Sequence, residues 1–382
     1  MNMTPRALYD ADSHIMELPD FLTAHADPSI RDQLPPILPY GRLDPSLVGL
    51  PADGSRAHPA AKVAEMKTLG DRILRGPKWY QALGAFNCAE RGAVLDMLGI
   101  RRQVIFSSFS SGVVFGIKDL DVRYGAVRAF NRAMQEFVAD DPRLVGVGLM
   151  VFEDPTRSAS ELDRALADGL RLFMIPTDSC GRSPGHPAHD PIWARLAEAR
   201  GTFVIHVGSS KLSIDPEWMN DGHPEHKTAR GGAEVVGSKD MTSIFHSAER
   251  YLSCLVLDGV LERYRELRGA CIELGAGWVP SMRRRLDHIV EVWAKPEPHL
   301  RELTRKPSAQ MDEQLRFTPY PFEDVGELIR YSDDRLYMFS TDYPHAEGGR
   351  DPIGRFEASL AEYSNATRER FFGGNFQEYV RT

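Results

Sequence analysis

The feature that most constrains the fold is an alternation. Short apolar, β-rich runs recur along the chain, with stretches of helical spacing between them. The runs are RALYDAD (6–12), QVIFSS (103–108), LVGVGLM (144–150), LRLFMI (170–175), TFVIHV (202–207), GACIEL (269–274), LRFTP (315–319) and LYMFST (336–341). Most are apolar on both alternations, the pattern of strands covered on both faces of a parallel sheet. Helical spacing appears at 123–140, which stops before Pro142, and at 158–168, 190–200, 247–264 and 281–293. Eight strand candidates with helices between them predict an α/β chain folded as a (β/α)8 TIM barrel. The Thr-Pro ending of 315–319 marks a short strand. A doubly wound open sheet is the alternative the pattern allows. No Gly-rich phosphate loop follows any run, so nucleotide binding is unsupported.

At 382 residues the chain suits one barrel domain spanning 1–382 with insertions. Residues 28–77, rich in Pro, Gly and polar side chains, follow the first strand. Residues 208–242 follow the fifth, and a Pro-rich, charged arm at 294–321 follows the helix after the sixth. In a barrel, the two insertions that leave strands directly belong on the catalytic face.

Composition narrows the partners. The net charge of −8, with no basic run, argues against nucleic acid or an anionic membrane. No window approaches the roughly 18 apolar residues of a membrane span, and the N-terminus lacks the apolar centre of a signal peptide. Cys88, Cys180, Cys254 and Cys271 are scattered without a CxxC pair, as free thiols of a reducing compartment are. These features lead us to expect a cytoplasmic protein acting on a small molecule.

Polar groups gather at the strand ends. Asp12 and His14 end the first run, His206 lies near the end of the fifth, Glu273 near the end of the sixth, and Asp342 just after the eighth. In a barrel these ends converge on one mouth. Asp12 and His14, two apart, point to the same side of a strand and suit a shared ion. Asp10 lies deeper and is left outside that set. Mixed imidazole and carboxylate donors suit Zn2+, Mn2+ or Fe2+. Each group also has an ordinary reading: a hydrogen-bonded core His, or an Asp that caps a helix or closes a turn. Glu273 differs, because a carboxylate inside an apolar strand is costly unless it is paired or holds a cation. The cluster DGHPEH (221–226) also carries metal-binding residue types and is read as a polar segment of the second insertion.

Several motifs, in order, carry a family likeness: DADSHIMELPDF, VIHVG, GVLERYRELRGACIELGAGWVPSMRRRLD, FSTDYPHAEGGRDP and FFGGNFQEYV. From Asp10 to Tyr379 the chain resembles the second amidohydrolase family, the group related to aminocarboxymuconate-semialdehyde decarboxylase. The resemblance implies a (β/α)8 barrel with one divalent metal, Zn2+ or alternatively Mn2+. It places the metal ligands on Asp12, His14, His206 and Asp342, with Asp342 also a proton acceptor. One position departs. Where the family's decarboxylases have a sixth-strand His, this chain has Glu273, and His246 is the candidate replacement imidazole. Catalytic roles are therefore expected of Asp342, Glu273 and His246. Glu17, His345, Trp278 and Arg350 are supporting candidates: Glu17 as acceptor from a ligand imidazole, His345 to reach substrate or orient Asp342, Trp278 to line the pocket, Arg350 to grip a substrate carboxylate.

The resemblance implies a carboxy-lyase acting on a small aromatic or unsaturated carboxylic acid. Hydrolysis of an amide, ester or lactone uses nearly the same residues and stays open, as does a barrel that binds a ligand without catalysis. The resemblance and the arm also suggest a homodimer or higher homo-oligomer.

Overall fold

A computed structural model of the protein describes residues 7–39, 49–51, 53–178, 180–210, 214–223 and 236–381. The chain divides into two compact units: Met1–Val147 with Leu212–Ile244 and Ser340–Arg355, and Gly148–Lys211 with Phe245–Phe339 and Phe356–Thr382.

The first unit is built on parallel strands. β1 (Leu8–Asp10) and β2 (His14–Ile15) both pair with β3 (Ile100–Ser107), in the registers Leu8↔Ile100 and His14↔Phe106. β3 pairs in turn with the start of β4 (Leu144–Leu149), as Gln103↔Leu144. The single first strand expected at 6–12 is thus two short ones. The break falls where the Asp10 carboxylate accepts the Asp12 amide (3.3 Å), which removes that N–H from any ladder. Two helices cover this sheet. α1 (Cys88–Leu98) is capped by Asn87, whose side chain accepts from the Glu90 amide, and ends at Gly99, where φ is 67°. α2 (Leu120–Val138) is capped by Asp119 and buries Val122, Ala126, Phe130, Ala133 and Met134, a stripe at helical spacing.

The second unit repeats the pattern. β5 (Leu172–Met174), β6 (Thr202–Ile205), β7 (Arg268–Cys271) and β8 (Leu315–Phe317) pair in parallel and in chain order. Its main helices are α3 (Pro155–Ala167), α4 (Asp190–Glu198), α5 (His246–Leu257) and α6 (Val279–Trp293). The helix expected at 247–264 is cut at Gly259, where φ is 72°, and resumes only as Val260–Arg263.

The strand expected at 336–341 does not form. Its residues are buried, but their amides go to separate partners: Met338 to Phe317 O, Phe339 to Phe371 O and Thr341 to the Asp10 carboxylate. Isolated bridges, Phe317↔Tyr337 in the second unit and Ser13↔Tyr343 in the first, stand where a ladder was expected. Of the insertion at 28–77, the described part holds helix Ala60–Lys67 and short 3-10 turns. Of 208–242, residues 211–213 and 224–235, including 224–226 of the DGHPEH cluster, lie outside the described residues. No described helix is long and apolar enough to cross a membrane.

Candidate metal centre

In the first unit, two stretches of chain far apart in sequence are stitched together. The Asp342 amide donates to Asp12 O and the His14 amide to Tyr343 O, both at 2.8 Å. This brings Asp12, His14, Asp342 and His345 into one buried cluster. His14 Nε2 lies 3.4 Å from an oxygen of Asp12 and 3.4 Å from one of Asp342. His345 Nδ1 lies 3.2 Å from Asp342, and its ring stacks on that of His14 with centroids 3.8 Å apart.

The proton arrangement follows from the partners. His14 Nδ1 is 3.0 Å from Ser107 O, and a carbonyl only accepts, so Nδ1 carries the hydrogen. Burial, and then the neighbouring His345, push the His14 pKa down to about 4. The ring is therefore neutral near pH 7, and its Nε2 lone pair faces two carboxylate oxygens. Acceptors gathered in that way call for a cation among them. A ring whose Nδ1–H is held by a backbone carbonyl also has the outer bond usual for a metal-binding His.

The second unit shows the same pattern with fewer groups. His206 stands just beyond β6 and donates from Nδ1 to Val207 O (2.9 Å). In the neutral ring this leaves Nε2 as the acceptor, 3.2 Å from the Glu273 carboxylate. Glu273 is buried two residues past β7. Its amide donates to Thr318 Oγ (2.9 Å), and its carbonyl accepts from the Tyr320 hydroxyl (2.9 Å). Glu273 and Asp342 share a further property: both are non-glycine residues with left-handed backbones, at φ 56° and 53°. Such conformations persist only where the surroundings impose them, and they cluster at functional sites.

The supporting candidates divide. His345 lies against Asp342, and its Nε2 is 2.8 Å from Ser108 Oγ. Glu17 does not accept from a ligand imidazole. Its buried carboxylate takes the amides of Ser108, Phe109 and Ser110 and the Ser110 hydroxyl, so it fixes the loop that carries Ser108. Trp278 is a core aromatic, not a pocket wall. It stacks on Phe245 and meets Phe317 edge-on, and its indole N–H goes to Gly275 O at 3.0 Å. His246 is exposed at the start of α5, edge-on to Phe245, and Arg350 is exposed.

Sequence reasoning missed Ser108 and Lys78. The Lys78 ammonium donates to Gly349 O (3.1 Å); burial lowers its pKa, while the nearby carboxylates of Asp342 and Glu347 favour the cation. The adjacent Trp79, at φ 60°, donates its amide to Pro344 O and faces the His345 ring at 6.1 Å. A Pro-Lys-Trp stretch at the end of a Pro- and Gly-rich insertion carries no local mark of that placement.

The His14 shift has a measurable consequence. Its ordinary pKa of 6.5 in the unfolded chain falls to about 4 in the fold, so the unfolded state binds the proton first. This group therefore lowers stability as the pH falls from about 6.5 to 4. Ring NMR of the metal-free protein should show a histidine still neutral at about pH 5; titration of His14 near its ordinary value would contradict the buried geometry.

Residues 88–375 match the family model described as Amidohydrolase. The 2-amino-3-carboxymuconate-6-semialdehyde decarboxylase of Dictyostelium discoideum is 22% identical over 266 residues, covering 65% of each chain. The chain thus spans just under two thirds of that relative's length. Among solved structures, an amidohydrolase of Mycobacterium avium subsp. paratuberculosis superposes over all of both chains with a TM-score of 0.75 at 23% identity. A 5-carboxyvanillate decarboxylase of Novosphingobium aromaticivorans, complexed with manganese and 4-hydroxy-3-methoxy-5-nitrobenzoic acid, gives a TM-score of 0.64 at 19% identity, covering 99% of this chain and 96% of that one. These likenesses show the α/β fold of the amidohydrolases, which the strand–helix alternation predicted.

Proposed function

The chain belongs to the amidohydrolase family, and from that premise we propose that it is a metal-dependent carboxy-lyase releasing CO2 from a small aromatic or unsaturated carboxylic acid. The observation that carries the reading is the neutral His14 imidazole, its Nε2 turned toward the Asp12 and Asp342 carboxylates. That donor set fits a divalent ion. We assign the ion to Asp12, His14, His206 and Asp342, with Glu273 beside His206. Zn2+ suits these donors, and the manganese in a decarboxylase relative makes Mn2+ the alternative.

When bound, the ion supplies a positive centre that draws electron density through a substrate oxygen. The chain's own groups do the rest. Lys78 offers its ammonium to the substrate carboxylate. The C–CO2 bond breaks and leaves its electron pair on carbon, and Asp342 or Glu273, after taking up a proton from water, delivers it in place of CO2. His345, held by Ser108, fixes the angle at which Asp342 does this.

The test is a panel of aromatic and unsaturated acids given to the metal-loaded protein, with CO2 measured. Release of CO2 from one of them is the expected result. Turnover of a lactone or amide with no CO2 from any acid would replace this reading by hydrolysis. Glu273→Gln separates two roles for that carboxylate. If its charge is used in proton transfer, the rate falls by about 10²-fold or more while the metal content holds. A matching loss of metal would instead place Glu273 among the ligands.

A further inference from the structure

We propose that Asp10, which makes no contact with the ion, is the positioning residue that sets the spacing of the metal ligands in the first unit, with its charge balanced through Gln103 by Arg91. The inference rests on the metal centre assigned above and adds to it a buried tie beneath the ligands.

Asp10 is fully buried, and all four of its partners donate to it. One oxygen takes the Thr341 amide (2.8 Å) and the Asp12 amide (3.3 Å). The other takes the Thr341 hydroxyl (2.6 Å) and Gln103 Nε2 (2.8 Å). Thr341 Oγ accepts in turn from the Tyr343 amide at 3.2 Å. One carboxylate therefore holds the backbone of Asp12 directly, and holds Thr341 and through it Tyr343, the two neighbours of Asp342, the residue whose left-handed turn places it opposite His14.

Arg91 closes the tie on the other side. It is fully buried and donates Nε to Gly84 O (2.8 Å), Nη1 to Ser13 Oγ (3.3 Å) and Gln103 Oε1 (3.2 Å), and Nη2 to His14 O. The Gln103 amide thus points its N–H at the anion and its oxygen at the cation. A carboxylate and a guanidinium, each too costly to bury alone, are joined through one neutral side chain. Between them they touch the main chain at Asp12, Thr341 and His14, and reach that of Tyr343 through Thr341 Oγ. Those points fix the distance between Asp12, His14 and Asp342. Residues that orient ligands in this way typically change metal affinity about 10–100-fold when altered.

The balance of donors makes a sharp test. An amide at position 10 has one acceptor oxygen, so Asp10→Asn must set an N–H against a donor on one side. If that side is Gln103, its amide flips and turns its own NH2 toward Arg91. Asp10→Asn should weaken Mn2+ or Zn2+ binding by the metal-free protein about 10–100-fold, read as Kd by chelator competition. The double variant Asp10→Asn/Gln103→Glu moves the anion to the next side chain of the same hydrogen-bonded path, so that the amide at position 10 donates to a carboxylate and Arg91 keeps its acceptor. It should recover most of the affinity, which general destabilisation would not allow. Thr341→Val removes the hydroxyl that joins Asp10 to the Tyr343 amide without moving charge and gives a smaller loss, and it serves if Asp10→Asn does not fold. The inference is overturned if these single variants bind metal within about twofold of wild type, or if the double variant binds no better than Asp10→Asn. A wild-type protein that takes up no divalent ion would overturn the assigned metal centre itself, a result distinct from both.

Discussion

Asp342→Asn gives a folded protein whose turnover falls by about 10³-fold or more. The fold persists because the Asp342 amide still reaches Asp12 O and Asp10 still holds Thr341. What changes is the carboxylate 3.4 Å from His14 and 3.2 Å from His345. Asn has one acceptor, carries no charge, and turns an N–H toward a ring nitrogen or the ion. His206→Ala should be as damaging, since it removes the imidazole whose Nδ1–H Val207 O holds in place. Circular dichroism and thermal unfolding would confirm that both variants are folded. Turnover within about tenfold of wild type in either would take that residue out of the chemistry.

Removal of the metal should have a second large effect, on stability as well as rate. In the metal-free protein each unit keeps buried carboxylate and imidazole groups side by side. A ligand present at about a thousand times its Kd stabilises the folded state by about 4 kcal/mol. Dialysis against a chelator should therefore abolish activity and lower the Tm by several degrees. Adding back Mn2+ or Zn2+ should restore both. An unchanged Tm and full activity after chelation, with metal shown to be absent, would contradict a metal role.

The parts of this site that could be read from sequence are those whose signal is local. Asp12 and His14 sit two apart, and a two-residue step in extended chain is enough to put them on one side. Glu273 stands out because a charged residue in an apolar run has to be explained wherever the strand lies. The parts that could not be read depend on partners far along the chain. Glu17 meets a loop more than ninety residues away, and Asp10 meets Thr341 at a separation of 331. Nothing in the Glu17 or Asp10 neighbourhood says which donors will arrive. This is why Glu17 was expected to serve an imidazole and in fact holds the Ser108 loop, and why Asp10 was left outside the ligand set without a role.

The fold shows the same limit. Apolar alternation found β3 to β8 because burial on both faces leaves that pattern. It also marked 336–341 as a strand, since a buried extended segment has the same composition whether or not a neighbour completes its ladder. Main-chain partners decide between the two, and here they are scattered. Trp278 illustrates the matching ambiguity of side chains. An aromatic after a Gly-rich turn serves equally as pocket wall or core, and its contacts with Phe245 and Phe317 settle it as core.

The central claim is a single divalent ion held by Asp12, His14, His206 and Asp342. Anomalous diffraction from crystals of the wild-type protein loaded with Zn2+ tests it most directly. The account predicts one strong peak about 2.0–2.2 Å from His14 Nε2, His206 Nε2 and carboxylate oxygens of Asp12 and Asp342. A peak elsewhere, or crystals of loaded protein with no peak at these residues, would contradict it.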